Sequence, residues 1–196
     1  MTLVEQIAVK ELGRVEYEPT WRAMRAFTQS RDESTPDELW LLEHPPVYTV
    51  GQGAAMPGVP AVKTDRGGDV TYHGPGQAVV YTLVDLARRG IKVKQFVCLL
   101  EQAVIDLLGR GDRRPGAPGV YVDGAKIAAL GIRVTRGRAY HGVALNVDMD
   151  LGPFAAIDPC GYPGLRVTQM RELGSTDSVP ATARRLARII AEKLDA

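Results

Sequence analysis

Apolar residues recur at helical spacing in two long segments of the chain. Between residues 92 and 109 they lie mostly three or four positions apart, at Val93, Phe96, Val97, Leu100, Val104, Leu107 and Leu108. This spacing predicts an amphipathic helix that Gly109 and Gly111 end. A second stripe predicts a C-terminal helix with Ser178 as its cap and Pro180 in its first turn. Its apolar face is formed by Ala183, Leu186, Ala187, Ile190 and Leu194. A weaker pattern predicts a helix around residues 21–29.

Shorter apolar runs, rich in β-branched residues, predict strands. One run covers residues 39–43 and stops at Pro45-Pro46, and another covers residues 79–84. Farther along, Asp123-Gly124 is a hairpin turn signal that joins strands predicted at 119–123 and 125–134.

A turn at 136–138 precedes one more predicted strand, 140–147. The order of elements lacks regular strand–helix alternation, so it predicts an α/β or α+β fold with a mixed sheet packed against helices. A length of 196 residues suits a single domain, 1–196.

Charge and cysteine content exclude several classes of protein. Lys and Arg number 24 against 23 Asp and Glu, which gives a net charge of +1, so nothing favours a nucleic-acid partner. The only cysteines, Cys98 and Cys160, cannot build a disulfide framework or a four-cysteine zinc site. With three histidines besides, we expect no metal.

The chain lacks signals for export or membrane insertion. No run approaches the roughly 20 apolar residues of a membrane helix, and the first residues carry an early acid. We therefore expect a cytoplasmic protein with free thiols and no membrane contact.

The segment 66–77 has the most unusual composition. It holds four glycines, a proline, Arg66 and His73 within twelve residues. Glycines let backbone approach a ligand closely, and Arg66 can fix an anion or a carbonyl. The alternative is an elaborate turn between two strands.

Cys160 and Lys126 are the candidate reactive pair. Cys160 lies between prolines and glycines that would present a thiol, whereas Cys98, at the margin of a helical stripe, is typical of a core thiol. A reactive thiol needs a nearby cation, for which Lys126, His73 and His141 are candidates. Lys126 interrupts an apolar strand; the alternative is a solvent-exposed lysine on an edge strand.

Five segments, in order, resemble the octanoyltransferase family of protein lipoylation and together cover most of the chain. They are HPPVYTVGQ at 44–52, RGGDVTYHGPGQ at 66–77, KIAALGIR at 126–133, HGVALNVD at 141–148 and FAAIDPCG at 154–161. The resemblance implies the fold of biotin and lipoate protein ligases. It also implies transfer of an octanoyl or lipoyl group from acyl carrier protein to a lysine of a lipoyl domain or of the glycine-cleavage H protein.

Residue roles follow from the same resemblance. Cys160 would carry the acyl thioester and Lys126 would lower the pKa of its thiol. The substrate site would be lined by Arg66, Gly67, Gly68, Asp69, Val70, Thr71, Tyr72 and His73, by Ala129, Leu130 and Gly131, and by Gly142, Val143 and Ala144. The family implies a monomer, and thioester exchange needs no nucleotide or other cofactor.

Three rival functions and two docking patches stay open from sequence alone. The rivals are an ATP-dependent lipoate or biotin ligase, a Cys–His hydrolase and a non-catalytic acyl binder. An acidic carrier would need a basic surface, and the candidates are Arg133, Arg136 and Arg138, or Arg88, Arg89, Lys92 and Lys94.

Overall fold

The computed structural model describes residues 7–157 and 164–196. It contains nine strands, four α-helices and two short 3-10 helices within these ranges. The strands are β1 (Ala8–Arg14), β2 (Glu38–Glu43), β3 (Val47–Val50), β4 (Val62–Lys63), β5 (Val70–His73), β6 (Gln77–Asp85), β7 (Gly119–Val122), β8 (Ala125–Thr135) and β9 (Arg138–Asn146). The α-helices are α1 (Tyr17–Ser30), α2 (Leu86–Arg89), α3 (Val93–Leu108) and α4 (Val179–Leu194); the 3-10 helices are Gly152–Ala156 and Met170–Leu173.

Two sheets organise these elements. The larger has the strand order β1-β2-β6-β9-β8-β7, and the smaller has the order β4-β3-β5. In the larger sheet β1 is parallel to β2, while every other neighbouring pair is antiparallel. The prediction of a mixed sheet packed with helices is therefore confirmed.

Helices cover the larger sheet on both faces because its strands are apolar on both. Alternate residues of a strand point to opposite faces. On one face Leu39 and Val80 join a core formed with α3 and α4. On the other, Trp40 and Tyr81 pack in a cluster with Met24 of α1.

The predicted helices are confirmed, with two differences in their faces. Ser178 caps α4 by accepting a hydrogen bond from the Ala181 N–H, and Gly109 ends α3 in a left-handed conformation. Val93, however, is 48% exposed at the first turn of α3. Cys98 is only half-buried, so the prediction of a core thiol is wrong. No helix in the described ranges is long and apolar enough to cross a membrane.

Both predicted turns are present. Asp123 and Gly124 have φ values of 49° and 80°, and Arg136 and Gly137 have values of 50° and 78°. Two consecutive residues with positive φ are the requirement of the tight hairpin turn whose twist matches the strands. The β7–β8 and β8–β9 hairpins follow from these turns.

The second expected basic patch is partly structural. The fully buried carboxylate of Asp37 pairs with Arg31 at 2.6 Å, Arg88 at 2.9 Å and Arg89 at 2.5 Å. Burial raises the pKa of Asp37, but hydrogen bonds from Arg89, the Asp85 N–H and Arg31 outweigh it and hold the pKa below its usual value. Arg88 and Arg89 thus tie α2 to the residue before β2, and Lys92 and Lys94 are the exposed members of this patch.

Candidate active site

Small residues on β8 and β9 leave a hollow on the face of the larger sheet that α1 covers. Gly142 pairs with both Tyr81 and Gly131, and Ala144 pairs with Val79 and Ala129. These two adjacent rungs place glycine and alanine side by side on one sheet face. Because these residues have little or no side chain, they leave room for a cavity of about 100 Å³ and form its floor.

The glycine-rich segment covers this floor, and glycines let it lie close. The Gly67 N–H donates to the Ile132 carbonyl at 2.9 Å, which fastens the segment to β8. A Cβ on Gly131 would lie 2.8 Å from the Gly67 oxygen. A Cβ on Gly51 would lie 1.8 Å from the Gly68 oxygen. A side chain at either glycine would push the segment off the sheet.

The structure brings most of the expected substrate-site residues to one cavity. Its wall includes Arg66, Gly68, Asp69, Val70, Thr71, His73, Lys126, Ala129, Leu130, Gly131, Gly142, Val143 and Ala144. Gly67 and Tyr72 are the expected residues that are not part of the wall. Tyr72 instead packs beneath it, edge-on to the Phe154 ring at 5.6 Å between centroids.

Arg66 is buried and held by backbone and side-chain oxygens. Its Nη2 donates to the Thr49 carbonyl at 2.8 Å and to Thr49 Oγ1 at 2.9 Å, and its Nη1 donates to the Gly67 carbonyl at 3.0 Å. A buried charged group must be hydrogen-bonded to persist. The guanidinium therefore brings a fixed positive charge to the cavity wall.

The histidines near the cavity are neutral. Burial, with a smaller effect of nearby His44, lowers the pKa of His73 to about 3, and burial lowers that of His44 to about 4. Burial also lowers the pKa of His141, although its bond to Asp65 opposes this. Burial disfavours the charged imidazole, so of the three candidate cations Lys126 is favoured over His73 and His141.

His141 adopts an unusual backbone conformation in the middle of β9. Its φ is +64°, outside any turn, which costs about 1–3 kcal/mol for a residue other than glycine. Consecutive strand residues normally point to opposite faces. Here the His141 ring instead stacks on the ring of Tyr140, with centroids 5.1 Å apart.

Asp65 holds His141 in this position. Its Oδ1 accepts hydrogen bonds from His141 Nε2 at 2.9 Å and Trp21 Nε1 at 2.8 Å, and its Oδ2 accepts from the Tyr140 hydroxyl at 2.5 Å. Burial raises the pKa of the Asp65 carboxyl, but these three donors more than offset it and keep the pKa well below its usual value. The carboxylate only accepts, so Nε2 of His141 carries the proton.

Lys126 is buried, with 5% of its surface exposed, and is not a solvent-exposed edge lysine. Its Nζ donates to the Pro118 carbonyl at 3.2 Å and lies 5.7 Å from the Tyr121 ring centroid. Its stem passes close to Gly119, where a Cβ would lie 2.7 Å from Lys126 Cε. Glycine at position 119 therefore makes room for the lysine.

Cys160 lies outside the described residues, but both flanking segments contact the cavity region. Phe154, before it, and Val167, after it, belong to the cavity wall. The backbone of Lys126 bonds on both sides of Val167, with its N–H donating to Arg166 at 2.8 Å and its carbonyl accepting from Thr168 at 2.9 Å. The chain that follows Cys160 is thus hydrogen-bonded directly to Lys126.

Relatives of known name share most of this sequence. A model of the lipoyl protein ligase A/B catalytic domain matches residues 16–192. The octanoyltransferase of Thiobacillus denitrificans is 62% identical over 190 residues, covering 92% of this chain and 87% of the relative. The chain belongs to the octanoyltransferase family. The octanoyltransferase of Dechloromonas aromatica is 55% identical, covering 95% of this chain and 96% of the relative.

Solved structures place this octanoyltransferase family member on a known fold. A lipoate-protein ligase A bound with ATP superposes with a TM-score of 0.73 at 15% identity, covering 96% of this chain and 85% of that chain. The biotin protein ligase of Aquifex aeolicus with biotin and ATP superposes with a TM-score of 0.60 at 12% identity, covering 95% of this chain and 70% of that chain. At such identities the likeness concerns the fold alone, and the expected ligase-like fold is confirmed.

Several cavity residues of this octanoyltransferase were not among the predicted site residues. They are chiefly Tyr17, Val79, Tyr81, Pro118, Asn146, Phe154 and Val167. Asn146 and Gln77, which also belongs to the wall, lie inside the family motifs, so the sequence offered a signal for these two. Tyr17 precedes the predicted helix and carries no local pattern. Within residues 7–157 and 164–196 no group of three or more His, Cys, Asp or Glu residues is arranged to hold a metal.

Proposed function

We propose that this acyltransferase accepts an octanoyl group from acyl carrier protein, holds it as a thioester on Cys160 and passes it to a lysine of a lipoyl-dependent protein. The observation that carries the proposal is the placement of Lys126. It is a buried lysine in the wall of a hollow floored by glycine and alanine, bonded through its backbone to the segment that follows Cys160.

Lys126 is proposed to activate Cys160 by charge. A free thiol has a pKa of about 8.5, so it is mostly protonated at neutral pH. An ammonium about 4 Å from a thiolate stabilises it by about 4 kcal/mol at an effective dielectric of about 20, before desolvation is counted. Cys160 would then be largely a thiolate at neutral pH, ready to attack a thioester.

The first half-reaction exchanges one thioester for another. The Cys160 thiolate attacks the octanoyl carbonyl of the carrier thioester, and the tetrahedral adduct expels the carrier's thiolate. That thiolate takes a proton from the Lys126 ammonium. A thioester is exchanged for a thioester, so no nucleotide or other cofactor is required.

The second half-reaction forms an amide. The acceptor lysine amine attacks the octanoyl thioester, and neutral Lys126 takes a proton from the nitrogen of the adduct. Collapse of the adduct releases the Cys160 thiolate beside the restored ammonium. Thioester aminolysis is downhill, so this step drives the cycle.

The cavity wall supplies the proposed acyl site. We assign the octanoyl chain to the floor formed by Ala129, Gly131, Gly142 and Ala144 beneath the glycine-rich segment. Arg66, His73 and their neighbours would position the thioester. Gly67 and Tyr72 would support this wall from outside it, since Gly67 bonds to β8 and Tyr72 packs against Phe154.

The proposed partners are macromolecules that meet the enzyme one at a time. Carrier protein would donate, lipoyl domains and the glycine-cleavage H protein would accept, and the enzyme would act as a monomer. Of the first basic patch, Arg138 pairs with Asp85 at 3.3 Å and Arg133 bonds to Gln52, whereas Arg136 is exposed at the turn. Arg136 is therefore the patch member best placed to meet an acidic carrier.

Replacing Cys160 separates this proposal from an ATP-dependent ligase on the same fold. The test is octanoyl transfer from octanoyl-carrier protein to a lipoyl domain, with no nucleotide present. We expect the wild type to transfer and Cys160→Ser to lose transfer, while Cys98→Ser, the matched control, retains it. Transfer that requires ATP and survives Cys160→Ser would establish the ligase instead.

A further inference from the structure

The proposed cycle leaves one proton without an acceptor. A lysine has a pKa of about 10.4, so the acceptor side chain arrives as an ammonium. Forming the amide removes two protons from its nitrogen. Lys126 gave one proton to the carrier's thiolate, so it can take back only one. The other proton must go to a second base, either a side chain of the enzyme or solvent, before the nitrogen attacks.

We propose that His141 is this second base and that Asp65 is its positioning residue. This inference rests on the proposed function and extends it. His141 belongs to the cavity wall, and its Nε2–H is fixed on the Asp65 carboxylate at 2.9 Å. With Nε2 protonated, Nδ1 on the opposite side of the ring holds the lone pair that can take a proton.

The surroundings of Asp65 are built to hold this arrangement. Both carboxylate oxygens are used, by Trp21 and His141 on one and Tyr140 on the other. The stacked Tyr140 ring fixes the plane of the His141 ring. A positive φ in mid-strand is maintained only where its surroundings enforce it, and such residues cluster at functional sites. The described contacts account for the strain but give His141 no other task.

Each proton has a defined place in this step. The substrate ammonium gives one proton to Nδ1 of His141, which becomes an imidazolium stabilised by the ionised Asp65 behind it. The neutral amine then attacks the thioester carbon, Lys126 takes the second proton, and the Cys160 thiolate leaves. His141 afterwards returns its proton to solvent, so the enzyme regains its starting state.

The groups facing His141 agree with a base that is neutral at rest. Asp65 favours the imidazolium, whereas Arg66 opposes it. Tyr81 approaches edge-on with ring centroids 6.1 Å apart and stays protonated because burial raises its pKa. His73 is neutral. Among the residues that the structure describes, Asp65 is thus the acidic partner that offsets the cost of charging His141.

Single-turnover rates of the two half-reactions test the proposal. Acylation is followed as octanoyl-enzyme formation by intact mass, and transfer as its loss on adding a lipoyl domain. His141→Asn suits the positive φ, which asparagine tolerates. We expect His141→Asn to slow transfer about 100-fold at pH 7, the size of a general-base contribution, with acylation within threefold of wild type. Asp65→Asn should slow transfer about tenfold.

The pH dependence of transfer distinguishes a base from a structural support. Without the base, the variant depends on the neutral amine, so its transfer rate should rise about tenfold per pH unit between pH 7 and 9. The wild-type rate should be nearly flat there. Asp148→Asn, the same change at an exposed ion pair with Arg171, is the matched control and should match wild type.

Three results would each overturn this assignment. A transfer rate of His141→Asn within twofold of wild type would overturn it, as would an unchanged pH slope. Equal slowing of both half-reactions would show a structural role only and would also overturn it. If the wild type forms no octanoyl-enzyme, the proposed function itself fails, which is a separate outcome.

Discussion

Lys126 shows how single residues set the chemistry of this site. Gly119 leaves space for its stem, the Pro118 carbonyl accepts a hydrogen bond from its Nζ, and its own backbone bonds to the segment that follows Cys160. The lysine is therefore confined to one position. A long flexible side chain loses up to about 2 kcal/mol of rotamer entropy when confined in this way, which the fold supplies in advance of the reaction.

Removing the charge of Lys126 while keeping its length isolates its electrostatic role. We predict that Lys126→Met slows octanoyl-enzyme formation at pH 7 about 30-fold, because Cys160 reverts towards its ordinary pKa of about 8.5 and is then mostly protonated. The deficit should shrink as pH rises towards 9, where the thiolate forms without help. Stopped reactions analysed by intact mass provide the rates. A constant deficit across this pH range would mean that Lys126 does not act on the thiol.

Sequence reasoning reached Lys126 and not Asp65, for a physical reason. A lysine that interrupts an apolar strand is unusual in its local context, so it stands out. Asp65 sits in an ordinary polar stretch, and its role depends on Trp21, Tyr140 and His141, which approach only in the folded chain. The charge state of the histidines likewise depends on tertiary burial, which local patterns do not reveal.

At the scale of elements, the cavity depends on how closely the glycine-rich segment lies on the sheet. Gly51 bonds to Asp69 at 3.1 Å, and Gln52 bonds to Arg66 at 3.0 Å. These bonds from the residues after β3 hold the segment in place against β8. Since glycine is the only residue without a Cβ, these contacts explain the composition of the segment.

A pair of neighbouring glycines tests this contact. Gly51→Ala places a Cβ 1.8 Å from the Gly68 oxygen, whereas Gly53 has nothing within 4 Å of such a Cβ. We predict that Gly51→Ala costs about 1–3 kcal/mol of unfolding free energy and lowers transfer, because the cavity wall must move. Gly53→Ala should stay within about 0.5 kcal/mol of wild type. Urea unfolding measures both, and equal stabilities for the two variants would remove this explanation.

Elements with strong local signals were predictable, and those without were not. The two hairpins and the long helices follow from turn residues and helical spacing. Strand β1 was not predicted, because six of its seven residues are exposed and it lacks a regular apolar alternation. Strands β3 to β5 are at most four residues long, and β5 lies within the glycine-rich segment and pairs with β3. Tertiary pairing rather than local propensity therefore defines these strands.

Two buried histidines, His44 and His73, make the stability of the whole molecule depend on pH. His44 bonds to the Val15 carbonyl and the Tyr81 hydroxyl, each at 2.7 Å, and His73 bonds to Gln77 at 2.7 Å. Their pKa values of about 4 and about 3 lie below the usual value of about 6.5. The unfolded chain therefore binds more protons than the folded one in the range between these values.

Acidification should destabilise the protein well above the range where carboxylates titrate. The stability that neutral histidines contribute is complete above about pH 6.5 and is lost as pH falls towards 4. We predict a loss of about 2 kcal/mol per histidine between pH 7.5 and pH 5, from the linkage of protonation to unfolding. Urea unfolding at the two pH values measures it. His44→Gln should remove about half of the loss, and a flat profile would contradict the burial account.

Intact-mass spectrometry can show whether Cys160 carries the octanoyl group. The enzyme is mixed with octanoyl-acyl carrier protein without an acceptor or nucleotide, then measured alongside Cys160→Ser. We expect the wild type to gain the mass of one octanoyl group on Cys160 and to lose it when a lipoyl domain is added, and we expect no gain in the variant. If the folded wild type gains no octanoyl group, or if Cys160→Ser gains it equally, Cys160 does not carry the acyl group.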